Sequence, residues 1–198
     1  MYLSATGTGA EKGFLPSRHK AAFDYLADQM FPITVHAGEA DGIESIRDAI
    51  VSGRALRLGH GVRVMEDIEL NYHEGELASV KLGLVSDWVH DRQIPLELSP
   101  SSNLQTGAIE AWGKTMASHP FNTLYDLGFN VTVNTDNRLM SETSLTRELE
   151  LLTETFGYTL DDLEVFQVNA ARASFADIVS RELMEARIEE AFAKARGE

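Results

Sequence analysis

Ile33-Thr34-Val35-His36-Ala37-Gly38-Glu39 is the stretch on which the reading of this chain turns. Its β-branched start, Ile33 to Val35, predicts a short buried strand. The strand ends in a histidine, two small residues and a glutamate. A histidine at the carboxyl end of such a strand can offer a ring nitrogen to a metal. Gly38 permits a sharp turn, which lets Glu39 point back at the same spot. One ligand and one acid/base group thus fall within four residues. The plainer reading is that His36 and Glu39 cap the next helix, because a short motif match alone carries little. The rest of the chain weighs on this choice, since three later stretches repeat the design.

Upstream, Thr6-Gly7-Thr8-Gly9-Ala10-Glu11 is a loop of small residues, suited either to hugging a ligand with bare backbone or to an ordinary turn. Ser17 to Met30 predicts a helix, with Ala21, Phe23, Tyr25, Leu26 and Met30 as its apolar positions. Downstream, Ile43, Ile46 and Ile50 make one stripe of an amphipathic helix over Asp41 to Gly53. Leu56 to Gly61 is a second strand ending in histidine, His60, with a glycine on either side. Met65 to Gly75 is polar and is expected to begin as a short helix, and Leu77 to Asp91 is expected to be the next helix. Ile94 to Leu98 is the third strand, with Pro95 near its start, and it runs into Ser99-Pro100-Ser101-Ser102-Asn103. His119-Pro120 opens a short helix that Gly128 ends. Asn130 to Val133 is the fourth strand, and it delivers Asn134-Thr135-Asp136-Asn137, a pattern that by itself reads as a helix cap. The remainder is helical. A capping-box pattern at Thr159 to Asp162 opens one helix, and a charged, alanine-rich helix covers Arg181 to Arg196.

Strand ends therefore fall near residues 5, 36, 60, 99 and 135. Short apolar strands, each followed by helix, predict a parallel sheet in an α/β protein. Every polar motif lies just after a strand. In a (β/α) barrel of the TIM type this gathers all of them on the carboxyl-terminal face, where such folds keep their chemistry. A doubly wound open sheet is the alternative. About five strands can be counted, whereas a complete barrel has eight and about 250 residues. The expectation is an incomplete TIM-type barrel, one domain over residues 1–198, with its first strands missing.

Composition narrows the partners. The chain has 198 residues, 43% of them hydrophobic, enough for a real core. Its net charge of −14 comes without a basic cluster, so neither nucleic acid nor an anionic membrane surface is an expected partner. No apolar run reaches spanning length. The absence of cysteine excludes disulfides, thiolate nucleophiles and sulfur-ligated zinc. Met1 to Ala5 carries no basic region and no long apolar core, so a cytoplasmic location is expected.

His36-Ala37-Gly38-Glu39, Gly59-His60-Gly61, Ser99-Pro100-Ser101-Ser102-Asn103 and Asn134-Thr135-Asp136 occur in that order and in those strand contexts. Together they resemble the carboxyl-terminal part of adenosine deaminases, in the metal-dependent amidohydrolase superfamily. The likeness runs from about Gly9 to the last helices. It implies a (β/α)8 barrel with one zinc ion at its mouth. The implied reaction converts a purine nucleoside, adenosine or 2′-deoxyadenosine, to the inosine product and ammonia. Position by position, the resemblance implies His36 and Asp136 as zinc ligands and Glu39 as the acid that protonates purine N1. It implies His60 as the residue that orients the attacking water, and the Gly9 backbone N–H as a partner of purine N3. Asn137 stands where the family commonly has a second aspartate; it would donate to purine N7, or else simply cap the next helix. Ser99 to Asn103 is implied to support the site. Zinc bound by nitrogen and oxygen is what such a reaction needs, because it brings the pKa of a bound water toward 7. Glu39 must in turn deliver a proton at neutral pH, which requires burial against an apolar wall.

Two departures stand out. The family places two zinc ligands in a His-x-His pair on its first strand, and this sequence contains no His-x-His. Thr6-Gly7-Thr8 replaces the usual Asp-Leu-Ala before the glycine. Open sheet edges and an open apolar interior are expected to drive self-association. Two alternatives stay open: an adenine or other aminopurine deaminase of the same superfamily, and an inactive, self-associating half-barrel. Deaminases of nucleic-acid bases are excluded, since their zinc uses cysteines. His19, His73, His90 and His119 are expected to be surface or capping residues.

Overall fold

A computed structural model of the chain describes residues 5–7 and 9–197, so the start, Met1–Ser4, and Thr8 of the small-residue loop lie outside the described residues. The strands are β1 (Ala5–Gly7), β2 (Ile33–Ala37), β3 (Arg57–His60), β4 (Ile68–His73), β5 (Glu76–Leu82), β6 (Leu96–Leu98) and β7 (Val131–Val133). The helices are α1 (Lys20–Asp28), α2 (Ile43–Val51), α3 (Leu84–Asp91), α4 (Pro100–Thr106), α5 (Phe121–Asp126), α6 (Leu145–Phe156), α7 (Leu160–Ala173) and α8 (Ile178–Arg196). None of them is long and apolar enough to cross a membrane.

Five strands form one parallel sheet in the order β1-β2-β3-β6-β7. They follow one another in space as they do in sequence. A doubly wound sheet would reverse direction at a switch point, so that alternative falls away. What remains is a run of consecutive strands from a (β/α) barrel, open at β1 and at β7.

Side chains alternate across this sheet. On the helix side, Ile33, Val35 and Ala37 of β2 are buried with Leu58, Leu96, Leu98, Val131 and Val133. They pack with Ile46, Val89, Phe121, Leu124, Leu152 and Phe166 in one apolar core. Burying each large side chain of this kind contributes about 1.5–3 kcal/mol. Phe121 and Phe166 meet edge to face at 5.1 Å, the geometry that ring quadrupoles favour.

The other face is polar. The pairings Thr34↔Arg57, Gly59↔Glu97 and Glu97↔Thr132 put these residues on one side. Arg57 Nε lies 2.9 Å from Glu97 Oε1, and Thr34 Oγ1 donates to Glu97 Oε2 at 2.9 Å. Arg57 also donates to the Ala173 carbonyl and lies over the Phe175 ring, 3.8 Å from its centroid. The expected open apolar interior is therefore corrected. The period-2 pattern Ile-Thr-Val-His, Leu-Glu-Leu and Val-Thr-Val already places a polar side chain at each inward position.

A second correction concerns residues 65–83. Val62–Asp67 forms a 3₁₀ turn, but β4 and β5 then pair as an antiparallel hairpin, and α3 begins only at Leu84. Glu74 and Gly75 both have positive φ, 53° and 88°, as a two-residue hairpin turn requires. Nearly every hairpin residue from Glu69 to Lys81 is exposed or half-buried, so no one-sided apolar pattern marked these strands in the sequence.

Candidate active site

The carboxyl ends of β2 and β3 lie side by side, with Ala37 paired to His60. This register brings the His36 and His60 rings to 4.9 Å between centroids, edge to face. Gly59 makes that approach possible. A Cβ on Gly59 would stand 2.4 Å from His36 Cδ2, so any side chain there would push the ring away. Gly38 has φ +74°, and a Cβ there would meet Ile46 Cδ1 at 2.6 Å. Only glycine makes this turn against α2, and the turn carries Glu39 back toward the histidines. Glu39 Oε2 lies 3.3 Å from His60 Nε2.

His36, Glu39 and His60 each offer one ligand atom, all within 4.8 Å of one another. His36 and His60 also line a cavity of about 360 Å³ together with Asn134, Thr135 and Asp136. The Asp136 carboxylate is held by Ser102, whose Oγ donates to Oδ2 at 2.6 Å. On its other side His36 lines a smaller cavity of about 200 Å³ with Gly9, Glu11, Phe14 and Phe23. Asn137 is exposed, and its Oδ1 accepts from the Met140 N–H at 3.2 Å. This contact closes a turn over residues 137–140 rather than capping a helix, since α6 starts at Leu145 and is capped by Ser144; it leaves the Asn137 NH₂ as the group available to an acceptor.

Backbone strain falls on two of these residues. His60 and Asp136 have φ +64° and +52°. Met30, Arg54 and Gln93 share the left-handed region, but each sits just past a helix end, where a chain often turns this way. A left-handed non-glycine residue at a strand end costs of order 1–3 kcal/mol and tends to be found at functional sites.

Electrostatics follow from burial. His60 is 3% exposed. Loss of solvation lowers its pKa below the usual histidine value; Glu39 pulls it upward, His36 downward, and Asp136 and Glu11 upward. The ring is therefore held neutral in spite of its acidic neighbours.

Several supporting residues were not singled out from sequence. Glu11 accepts from the backbone N–H groups of Gly38, Glu39 and Ala40 at 2.5, 3.1 and 2.6 Å, and from Ser45 Oγ at 2.6 Å. It pins the very turn that aims Glu39. Glu148 is fully buried; it accepts from the Ser101 N–H and from Thr143 Oγ1, tying α4 to the loop after β7. Neither acid lies in a spacing that announces its partner. His119 was expected at the surface or in a cap. It does cap α5, accepting from the Phe121 N–H at 3.0 Å, but it is buried, and burial lowers its pKa to about 3. His19 and His73 are exposed, as expected. His90 contacts the Leu127 carbonyl at 3.1 Å.

A metal fits this donor set. Imidazole nitrogens and carboxylate oxygens are the ligands of non-sulfur zinc sites; His36 offers the first and Asp136 the second, on the wall of one cavity that Arg57 also lines, although Asp136 lies outside the tighter His36/Glu39/His60 cluster. A parallel sheet of consecutive strands with such a cluster on its carboxyl face defines the class, a (β/α)-barrel protein with a metal-competent site at its strand ends.

Comparison with known proteins takes the class to a family. The model of the adenosine deaminase family matches residues 4–191. Adenosine deaminase 1 of Streptomyces coelicolor is 53% identical over 167 residues, 84% of this chain and 40% of that protein. Adenosine deaminase of Mycobacterium avium is 49% identical over 167 residues, again 84% of this chain and 44% of that protein. Among solved structures, an adenine deaminase from Arthrobacter aurescens superposes with a TM-score of 0.82 at 24% identity, covering 94% of this chain and 51% of that one. An amidohydrolase from Burkholderia ambifaria with bound Zn superposes with a TM-score of 0.79 at 19% identity, covering 96% and 48%. These two likenesses bear on the fold alone. The chain belongs to the adenosine deaminase family, and it spans less than half the length of the two deaminases from Streptomyces and Mycobacterium.

Proposed function

We propose that this chain carries the carboxyl-terminal half of a zinc-dependent adenosine deaminase site, acting on adenosine and 2′-deoxyadenosine. The observation that carries the reading is the convergence of His36, Glu39 and His60 at two adjacent strand ends, with Asp136 lining the same cavity. In this reading His36 and Asp136 hold one zinc ion. When bound, zinc supplies a water that ionises near neutral pH. The chain's own residues do the rest. Glu39 gives a proton to purine N1 as the ring loses aromaticity under attack at C6. His60 orients the attacking water and stabilises charge on it. The Gly9 N–H meets purine N3, and the Asn137 NH₂ meets N7, an acceptor that an amide can serve at any pH.

His36 and Asp136 are two ligands, where a catalytic zinc site has at least three from protein. Residues outside this sequence are therefore part of the proposal for turnover, and self-association through the open edges at β1 and β7 is part of it for the isolated chain. A cytoplasmic setting belongs to the same proposal. The adenine deaminase alternative leans on a fold likeness only, whereas relatives near 50% identity favour the nucleoside.

Metal analysis and product identification test this reading. Whatever zinc the purified chain or a longer form of the protein holds is expected to be lost in both His36→Ala and Asp136→Ala. Glu39→Gln is expected to keep zinc. In any form of the protein that turns over adenosine, Glu39→Gln should lower kcat by about 10²–10⁴, the range of a lost general acid. Hypoxanthine made from adenine would favour the alternative substrate. Zinc uptake that is unchanged in His36→Ala and Asp136→Ala would overturn the ligand assignment.

A further inference from the structure

Behind His60 two buried polar side chains, Asn103 and His119, form a line that the proposed chemistry does not use. Asn103 Nδ2 lies 3.0 Å from His60 Nδ1, and Asn103 Oδ1 lies 3.3 Å from His119 Nε2. Asn103 is 0% exposed, and His60 and His119 are 3% exposed, so water offers these groups little.

The direction of every hydrogen bond in this line follows from one backbone group. Phe121 is the first residue of α5, and its N–H has no acceptor within the helix. It donates to His119 Nδ1 at 3.0 Å. An N–H can only donate, so Nδ1 of His119 is the bare nitrogen. Burial keeps that ring neutral, and a neutral imidazole carries one hydrogen. The hydrogen of His119 is therefore on Nε2, and its partner must be the carbonyl end of the Asn103 amide. This fixes the amide, whose NH₂ then faces His60. An NH₂ can only donate, so His60 Nδ1 is bare as well, and the His60 hydrogen sits on Nε2, 3.3 Å from Glu39 Oε2.

We propose that His119, acting through Asn103, is a positioning residue that holds His60 in its Nε2–H tautomer, so that His60 faces the cavity as a hydrogen-bond donor. The opposite tautomer would turn an Nε2 lone pair toward the Glu39 carboxylate. It would also meet the attacking water as an acceptor where developing charge needs a donor. The use made of His60 rests on the deaminase reading; the tautomer assignment does not.

The test is a long-range ¹H–¹⁵N correlation spectrum of the full metal-free chain with ¹⁵N-labelled histidine, at neutral pH. His60 and His119 are both expected as Nε2–H tautomers. Asn103→Asp is nearly isosteric and offers carboxylate oxygens to both rings, so His60 is expected to switch to Nδ1–H while His119 stays Nε2–H. His119→Phe fills similar space without the donor and frees the amide to turn, so His60 is expected to show both tautomers. A purely structural role for either residue would not move this signature. His60 found as Nδ1–H in the unsubstituted chain would overturn the proposal, even if both variants failed to fold. An unchanged His60 signature in a folded His119→Phe would overturn the assignment to His119. Zinc content and turnover are measured separately, so failure of the deaminase reading would leave the tautomer result standing, and the reverse also holds.

Discussion

The two faces of the five-stranded sheet are built from alternate residues of the same strands and carry different loads. The helix face holds Ile33, Val35, Leu58, Leu96, Leu98, Val131 and Val133, all 6% exposed or less. The concave face holds Thr34, His36, Arg57, Glu97 and Thr132, with Thr34 and Arg57 both bound to Glu97 and Thr132 donating to the Leu96 carbonyl. The first face gains its stability from removing apolar area from water and is indifferent to direction. The second can be filled with polar groups because its buried ones, Thr34 and Thr132, find hydrogen-bond partners. Stability and chemistry are thus separable to within one residue along a strand. A substitution on one face should leave the property of the other largely alone.

The largest effect that would test this separation lies on the helix face. Phe121→Ala removes a fully buried ring from among Tyr158, Phe166 and His119. It should cost about 3–5 kcal/mol of stability, as aromatic-to-alanine changes in cores do, measured by urea unfolding. Zinc uptake by the fraction still folded should be unchanged; its loss would tie the core to the site more tightly than the two faces imply.

The next effect couples the faces through acid. His119 is buried and neutral, with its pKa lowered to about 3 from 6.5. Between those values the unfolded chain binds a proton that the folded chain does not, so this histidine disfavours folding increasingly as pH falls. The contribution is fully favourable above about pH 6.5 and is lost as pH drops toward 3; its full size is of order a few kcal/mol. His60 is shifted in the same direction and acts in the same sense. Unfolding curves taken at a series of pH values should therefore show a steep loss of stability below pH 6.5, and the loss should be shallower in His119→Phe. Parallel pH profiles for the two proteins would count against a neutral buried His119.

The smallest effect sits on the concave face. Gly59→Ala places a Cβ 2.4 Å from His36 Cδ2. Something must move, and the ring beside a cavity is freer to move than the sheet. Stability should fall by only about 1–3 kcal/mol, the usual range for overpacking, while zinc affinity should fall because His36 is displaced. A variant with normal zinc affinity would show that the ring position is not set by this glycine.

Much of the site was legible because the chemistry sits at strand ends. His36, Glu39 and His60 were marked by β-branched or apolar runs breaking into glycine, and the fold brings them together. The polar inward residues were equally visible as alternation, yet were read through the expectation of an apolar interior. Glu11, Asn103 and His119 were not legible as partners. Glu11 reaches its turn across 27 residues, and Asn103 reaches His60 across 43, so no local spacing records either contact. The hairpin was missed because its strands project into solvent, where nothing forces apolar and polar residues to alternate.

By itself the sequence determined the order of the five sheet strands and of most helices between them, though not the hairpin at Ile68–Leu82, together with the parallel character of the sheet and the residue types at each strand end. These follow from local periodicity and turn chemistry, which act over a few residues. Only the tertiary structure decided which of those ends meet. It set the β2–β3 register that brings His36 against His60, and the glycine-shaped space that admits the ring. It also settled the hydrogen-bond directions that run from the Phe121 N–H to His60. A donor finds its acceptor by distance in space, and a linear chain does not record that distance.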